Sequence, residues 1–150
     1  MADLPQGFRE KVEAFEGLVL HTYLDVAGYK TIGFGHLEDQ TAPTRFITRE
    51  EADALLTTDL EIASNHALLL SPSLTGWRLA AITDFIFNFG AEAYQGSMLR
   101  RHVDAGRWAS AAASIKKWNH AHVGGKLVVV QALTKRRNAE AEWLLGGTDG

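Results

Sequence analysis

The sequence predicts a mainly helical α+β domain with a small β-hairpin lobe near its N-terminus. Three observations predict it. Apolar residues recur at helical spacing along most of the chain, one stretch of strand formers punctuated by glycines lies between Thr22 and His36, and nothing in the 150 residues resembles a linker. With 46% hydrophobic and 22% charged residues the composition is that of a folded globular chain. A chain of this length buries enough surface to fold without disulfide or metal, and it has no cysteine. No internal repeat or low-complexity tract divides it, so residues 1–150 read as a single domain.

Phe8, Val12 and Phe15 share one face of a first helix that opens after Pro5 and has Glu16 at its end. Tyr23, Tyr29, Thr31, Ile32 and Phe34 are strand formers, and Gly28, Gly33 and Gly35 supply turns, which gives the hairpin region. Thr48 followed by Glu51 is a capping box. It opens a long helix with Ala52, Leu55, Leu56, Ile62, Ala63 and Ala67 on its apolar positions, ending near Ser71-Pro72. An apolar helix follows from about Trp77 to Phe89 and stops at Gly90, and Ser97 caps a short helix ending near Gly106. Two more helices are expected, from about Trp108 to Trp118 and, after the Gly124-Gly125 break, from about Leu127 to Leu145. This divides the domain into a β-lobe over about 16–47 and a helical lobe over about 48–147 plus the N-terminal helix.

The absence of cysteine excludes a thiolate zinc site and a cysteine nucleophile, so any chemistry rests on oxygen and nitrogen groups. The net charge of −3 is polarised, since the first 75 residues carry 5 basic and 12 acidic side chains and the last 75 carry 10 and 6. Between Arg100 and Arg137 Asp104 is the only acid, a pattern that fits a polyanion, whether nucleic acid or cell-wall polymer, or simply a solvated helix face. The net negative charge and the lack of any nucleic-acid motif exclude nucleic acid as the expected partner. No N-terminal basic and apolar stretch marks a signal peptide, and no window of about 18 apolar residues marks a membrane span.

Glu16 and Asp25 lie nine residues apart on different elements and can face each other across a cleft. Two carboxyl groups in unlike surroundings suit glycoside hydrolysis, which needs one protonated acid and one ionised carboxylate. Phe15, Leu18 and Leu20 flank Glu16 and favour its neutral form, whereas Asp25 falls in a turn rich in backbone donors and stays charged. The His120-x-His122 pair has no third ligand at helical spacing, so no metal is expected. Trp77, Trp108 and Trp143 sit at helical spacing and are expected in the core, which leaves Trp118 as the candidate for stacking on a sugar ring.

The run from Glu16 to His36 closely resembles the signature of the phage lysozymes, the family 24 glycoside hydrolases, in which Glu, Asp and Thr are spaced E-x8-D-x5-T before I-G-x-G-H. The likeness extends through Ile47 to Ala52, Phe87-Asn88-Phe89-Gly90, Ser97-Met98-Leu99, Trp118, Gly124-Gly125-Lys126, and Arg136-Arg137 with Glu140. The resemblance implies a lysozyme-like fold and a muramidase that cleaves the β-1,4 bond between N-acetylmuramic acid and N-acetylglucosamine in peptidoglycan. By it Glu16 is the general acid, Asp25 the opposing carboxylate and Thr31 the hydroxyl that helps hold the attacking water, with inversion at the anomeric carbon. Leu37, Phe87, Asn88 and Ser97 match positions that line the family's saccharide cleft, and His36 matches a histidine that pairs with an aspartate of the long helix. Asp59, on the apolar stripe of that helix, is the expected partner.

The resemblance implies no cofactor. It also implies a monomeric endolysin, made in the host cytoplasm without an anchor, that reaches the periplasm and wall through a separate holin-type pore. Two stretches depart from the family pattern: the segment from Trp118 to Gly125 is longer than usual, and Gln131-Ala132-Leu133 stands where Gly-Leu is common. The rival reading is a non-catalytic peptidoglycan-binding module on the same fold.

Overall fold

The computed structural model describes residues 3–146. Helix α1 (Phe8–Glu16) leads into strands β1 (Val19–Leu24), β2 (Lys30–Gly33) and β3 (His36–Leu37), which form one antiparallel sheet in the order β1-β2-β3. Six helices and a second small sheet follow: α2 (Arg49–Leu70), α3 (Gly76–Phe89), α4 (Ala91–Gln95), α5 (Met98–Asp104), α6 (Trp108–Ile115), the hairpin β4 (His120–Val123) and β5 (Lys126–Val129), and α7 (Gln131–Leu144). The protein is an α+β fold, mainly helical with a small N-terminal sheet lobe.

Local chemistry accounts for the element ends that the sequence announces. The Thr48 hydroxyl accepts from the Glu51 N–H while the Glu51 carboxylate accepts from the Thr48 N–H, so both free amides at the start of α2 are satisfied. The Ser97 hydroxyl accepts from the Arg100 N–H and starts α5 in the same way.

Helix α3 is the axle of the core. Every residue from Leu79 to Ile86 is buried, Thr83 and Asp84 included, as befits a helix packed on all sides. Helices α2 and α7 both lie against it. Behind them Tyr94, fully buried on α4, donates its hydroxyl proton to Ser71, and Ser71 donates onward to Asp104, each over 2.7 Å. Trp143 is buried edge-on against Phe8 and beside Trp77, while Trp108 is half-buried with the Arg78 guanidinium 4.0 Å over its ring.

The structure corrects the expected C-terminal third. The segment after Trp118 and the start of the expected last helix form the β4–β5 hairpin. Gly124 and Gly125 both adopt positive φ between Val123 and Lys126, the two-residue turn whose twist matches that of paired strands. Leu127 to Val129 therefore belong to a strand, and α7 starts only at Gln131. Helix α6 ends at Ile115, not Trp118, because Lys117 and Trp118 donate to carbonyls only three residues back and tighten the chain into a turn. Helix α4, absent from the sequence reading, is a five-residue element directly after the Gly90 break.

The expected basic surface is also smaller than the sequence implies. Arg136 and Arg137 are buried and ion-paired, and Arg100 pairs with Asp104 and donates to the Leu70 carbonyl. Among the described residues no helix is long and apolar enough to cross a membrane.

The β-lobe is tied to α2 where His36 Nδ1 lies 2.8 Å from Asp59 Oδ2, both side chains being largely covered. The hydrogen bond to Asp59 raises the His36 pKa, partial burial opposes it and the Asp59 charge adds to it. The folded histidine thus holds its proton more tightly than the unfolded one. This stabilisation is fully present below the unfolded value of about 6.5 and is lost as the pH rises through the folded value. His36→Asn and Asp59→Asn should each lower the melting temperature most in mildly acid solution and least above that window. The double variant should lose much less than the sum of the single losses, which a thermal-melt cycle across pH reads directly.

Candidate active site

A cleft of about 640 Å3 runs between the β-lobe and the helical body. Its walls include Glu16 from the end of α1, Tyr23 from β1, Asp25 and Tyr29 from the β1–β2 turn, Thr31 from β2, and Arg136 from α7. A second hollow of about 300 Å3 continues from it past Leu37, Phe87 and Gly90 towards His36, Asp59 and His66. Of the residues singled out in the sequence, Glu16, Asp25, Thr31, Leu37, Phe87 and Asn88 line the main cleft, and His36 and Asp59 line its extension.

Ser97 and Trp118 do not line either hollow. The Ser97 hydroxyl is consumed by the α5 cap and by donation to the Tyr94 carbonyl. Trp118 packs edge-on against Phe85 and Phe89, with ring centroids 5.1 and 5.5 Å away. The β4–β5 hairpin, which lengthens the segment after Trp118, leads instead to Val130, Ala132 and Leu133 in the cleft wall.

The two carboxylates sit in different surroundings, those of Asp25 as the sequence implied and those of Glu16 not. Asp25 closes the turn on itself, its Oδ1 accepting the N–H of Ala27 at 3.0 Å and of Tyr29 at 2.9 Å. Both hydrogen bonds fall on Oδ1, and Oδ2 takes none among the described residues. Glu16 lies not in a purely apolar pocket but against the Arg136 guanidinium, with which it forms an ion pair. Arg136 in turn grips Asp84 with two hydrogen bonds, Nε to Oδ2 at 2.9 Å and Nη2 to Oδ1 at 2.6 Å, and lies over the rings of Phe15 and Phe87, 5.0 and 5.7 Å from their centroids. Tyr23 stands near both carboxylates, and burial first, then the charges of Glu16 and Asp25, push its hydroxyl above the usual tyrosine range.

Behind Arg136 the charges continue. Arg137 is fully buried with its guanidinium against Glu140, at 2.6 and 2.8 Å, and 3.9 Å from Asp84. Burial works to raise the Asp84 pKa, but the Arg136 charge and hydrogen bonds hold it below the usual range. Burial, with Asp84 close by, pushes Glu140 well above its ordinary value. Sequence reasoning met Arg136 and Glu140 only as part of the family likeness, and it did not find Asp84. The available signal was a lone acid in the middle of an apolar helix, which demands a buried cation.

Thr31 is buried, and its hydroxyl donates to the Tyr29 carbonyl over 2.9 Å. With its one proton committed, Oγ1 of this cleft-lining residue is left as an acceptor. The Asn88 Oδ1 is buried without a donor among the described residues, an unmet acceptor in the cleft wall. No cluster of metal-ligating side chains occurs among the described residues, and His120 and His122 lie on the exposed side of β4 without a third ligand.

The two-lobed fold, with acidic side chains on the walls of the cleft between a small sheet and a helical body, defines a glycoside hydrolase of the lysozyme type. Residues 13–140 match the phage lysozyme family, and the chain belongs to it. It is 36% identical to an endolysin of Acyrthosiphon pisum secondary endosymbiont phage 1, over 86% of this chain and 88% of that protein. It also matches Bacillus phage endolysins, spanning about half their length, 53% in the endolysin of Bacillus phage PZA. Among solved structures it superposes on the endolysin of Escherichia coli O157:H7 phage FAHEc1 with a TM-score of 0.84 at 29% identity, covering 97% of this chain and 95% of that one. The muramidase domain of SpmX from Asticaccaulis excentricus gives a TM-score of 0.82 at 31% identity, over 97% of this chain and 99% of that one.

Gly35 sets the approach of the β-lobe to Glu16. Its φ is +72°, and a Cβ placed on it would collide with the Glu16 carboxyl group. Gly35→Ala should fold, because the obstructed atoms are the end of a side chain, but with Glu16 displaced. Since a misplacement of about 1 Å can cost roughly 100-fold in rate, lytic activity should fall by about that factor, far more than the melting temperature would imply. A turbidity assay beside a thermal melt checks both halves.

Proposed function

We propose that this protein is a muramidase that hydrolyses the β-1,4 bond between N-acetylmuramic acid and N-acetylglucosamine in bacterial peptidoglycan with inversion. The observation that carries the reading is that Glu16, Asp25 and Thr31 line one cleft. The class of enzyme and the muramidase and endolysin relatives support the substrate.

In this reading Glu16 gives its proton to the leaving glycosidic oxygen, while a water on the opposite face of the sugar is activated at Asp25. The free Oδ2 of Asp25 accepts a proton from the water, and Thr31 Oγ1 accepts its other O–H and aims the oxygen lone pair at the anomeric carbon. The turn amides thereby fix Asp25 through one oxygen, and the Tyr29 carbonyl makes Thr31 an acceptor. Leu37 and Phe87 offer apolar surface to the sugar faces. No cofactor takes part. The enzyme acts as a monomer on the wall after release from the host cytoplasm through a separate pore.

Glu16→Gln keeps the shape of the side chain and removes the transferable proton. It should fold normally and lose about 10²–10⁴-fold in turnover. Clearing of outer-membrane-stripped cells measures the loss, and the sugar at the new reducing end should be muramic acid. Wild-type turnover by the glutamine variant would remove Glu16 from the mechanism.

Stereochemistry tests the role of the water separately. Proton NMR of the first product from the wild-type enzyme should show the α-anomer, the inverted configuration. A β-anomer, or a trapped glycosyl-enzyme, would make Asp25 a nucleophile and leave Thr31 no water to hold.

A further inference from the structure

The buried charges behind the cleft do not balance with those at its edge. Two guanidinium groups, Arg136 and Arg137, face three carboxyl groups, Asp84 and Glu140 in the core and Glu16 at the surface of the cluster. A guanidinium against a carboxyl group favours loss of its proton. Glu16 is in this position with Arg136, yet the reading above asks it to carry a proton as general acid. Something must offset Arg136, and the geometry shows what it is. Asp84 is fully buried on α3 and takes two of the three nitrogen positions of Arg136, Nε and Nη2, leaving only Nη1 for Glu16.

We infer that Asp84 is a positioning residue for catalysis: by holding the Arg136 fork in the core it aims one N–H at Glu16 and offsets the cation that would otherwise strip the proton from the acid. The inference rests on Glu16 being that acid. Asp84 touches no substrate and acts only through Arg136. Glu140 faces Arg137, which leaves Asp84 as the buried carboxylate that answers Arg136.

The other groups around Glu16 do not supply this offset. From β1 and its turn come Tyr23, neutral with its hydroxyl pushed up, and Asp25, whose Oδ1 is held by turn amides. On α1 itself Glu13 is engaged by Arg9 and, from α2, by Arg49. From α7 Arg137 is turned to Glu140, and the β2–β3 turn presents the backbone of Gly35. The Asp84–Arg136 pair is the one charge arrangement among the described residues that reaches the Glu16 carboxylate by direct contact.

The test is the pH dependence of kcat/KM on a soluble peptidoglycan fragment, with folding of each variant checked by circular dichroism. Asp84→Asn leaves Arg136 unopposed, so the alkaline limb, where the acid loses its proton, should move down by about one pH unit. Arg136→Gln should move the same limb up, and adding Asp84→Asn to Arg136→Gln should then move it no further. An alkaline limb in Asp84→Asn that coincides with wild type, with only a lowered plateau, would overturn the inference, as would the same downward shift in both backgrounds.

Should Asp84→Asn not fold, Arg136→Lys gives an independent answer. One ammonium group cannot serve both carboxylates as the fork does, and the deeper Asp84 should take it, moving the limb up as in Arg136→Gln. A limb left at the wild-type position would overturn the inference. Glu16→Gln run alongside separates the two claims: an active glutamine variant rejects Glu16 as the acid, whereas an inactive one with unmoved limbs elsewhere rejects only the role of Asp84.

Discussion

One guanidinium group holds the working parts of this molecule together. Arg136 comes from α7, is gripped at two nitrogens by Asp84 from the middle of α3, and reaches Glu16 at the end of α1 with the third. Leaving one member of such a buried pair uncompensated costs about 3–5 kcal/mol, so the three helices are held in a single relative arrangement. The rings of Phe15 and Phe87 against Arg136 line the same cleft. The same contact is structural and chemical at once, because the group that locks the helices also sets the charge seen by the candidate acid.

The β-lobe solves a different problem, that of fixing a carboxylate in one orientation. It does so with backbone amides and no cation, and the turn from Asp25 to Tyr29 needs nothing from the helical body to keep its shape. What the helical body supplies is the distance across the cleft. Ile47 and Ala52 pack beneath Gly33, and His36 bonds to Asp59 on α2, so the lobe docks through a small apolar contact and one hydrogen-bonded pair. The two walls are therefore built on unlike principles, one dry and ion-paired, the other wet and held by turn amides. Unlike surroundings of this kind are what separate the proton affinities of two carboxyl groups in one site.

The shape of the C-terminal wall follows from the β4–β5 hairpin. With Leu127 and Val129 exposed on it, the hairpin contributes little to the core, and its effect is to bring the chain back to Asn119, where Val130 donates to the Asn119 carbonyl before α7 begins. That return sets where α7 starts, and with it the position of Arg136 five residues later.

By itself the sequence determined whatever depends on neighbours close along the chain. Thr48 with Glu51, Ser97 before α5 and the Gly90 stop mark helix ends through hydrogen bonds spanning a few residues, and the Glu16, Asp25 and Thr31 spacing is carried by one helix end and one hairpin. Gly124-Gly125 was legible too, as a hairpin turn and not merely a break, had the β-branched run after it been weighed. Only the tertiary structure decided the partners of charges: Arg136 meets Asp84 across 52 residues and Glu16 across 120, and no local pattern encodes a contact at that separation. It also decided that Trp118 and Ser97 serve the core and a cap, since a ring or hydroxyl goes to whichever neighbours packing brings first. Local hydrogen bonds are set by spacing, whereas burial is a property of the whole packed chain, and the environment of Glu16 belongs to the second kind.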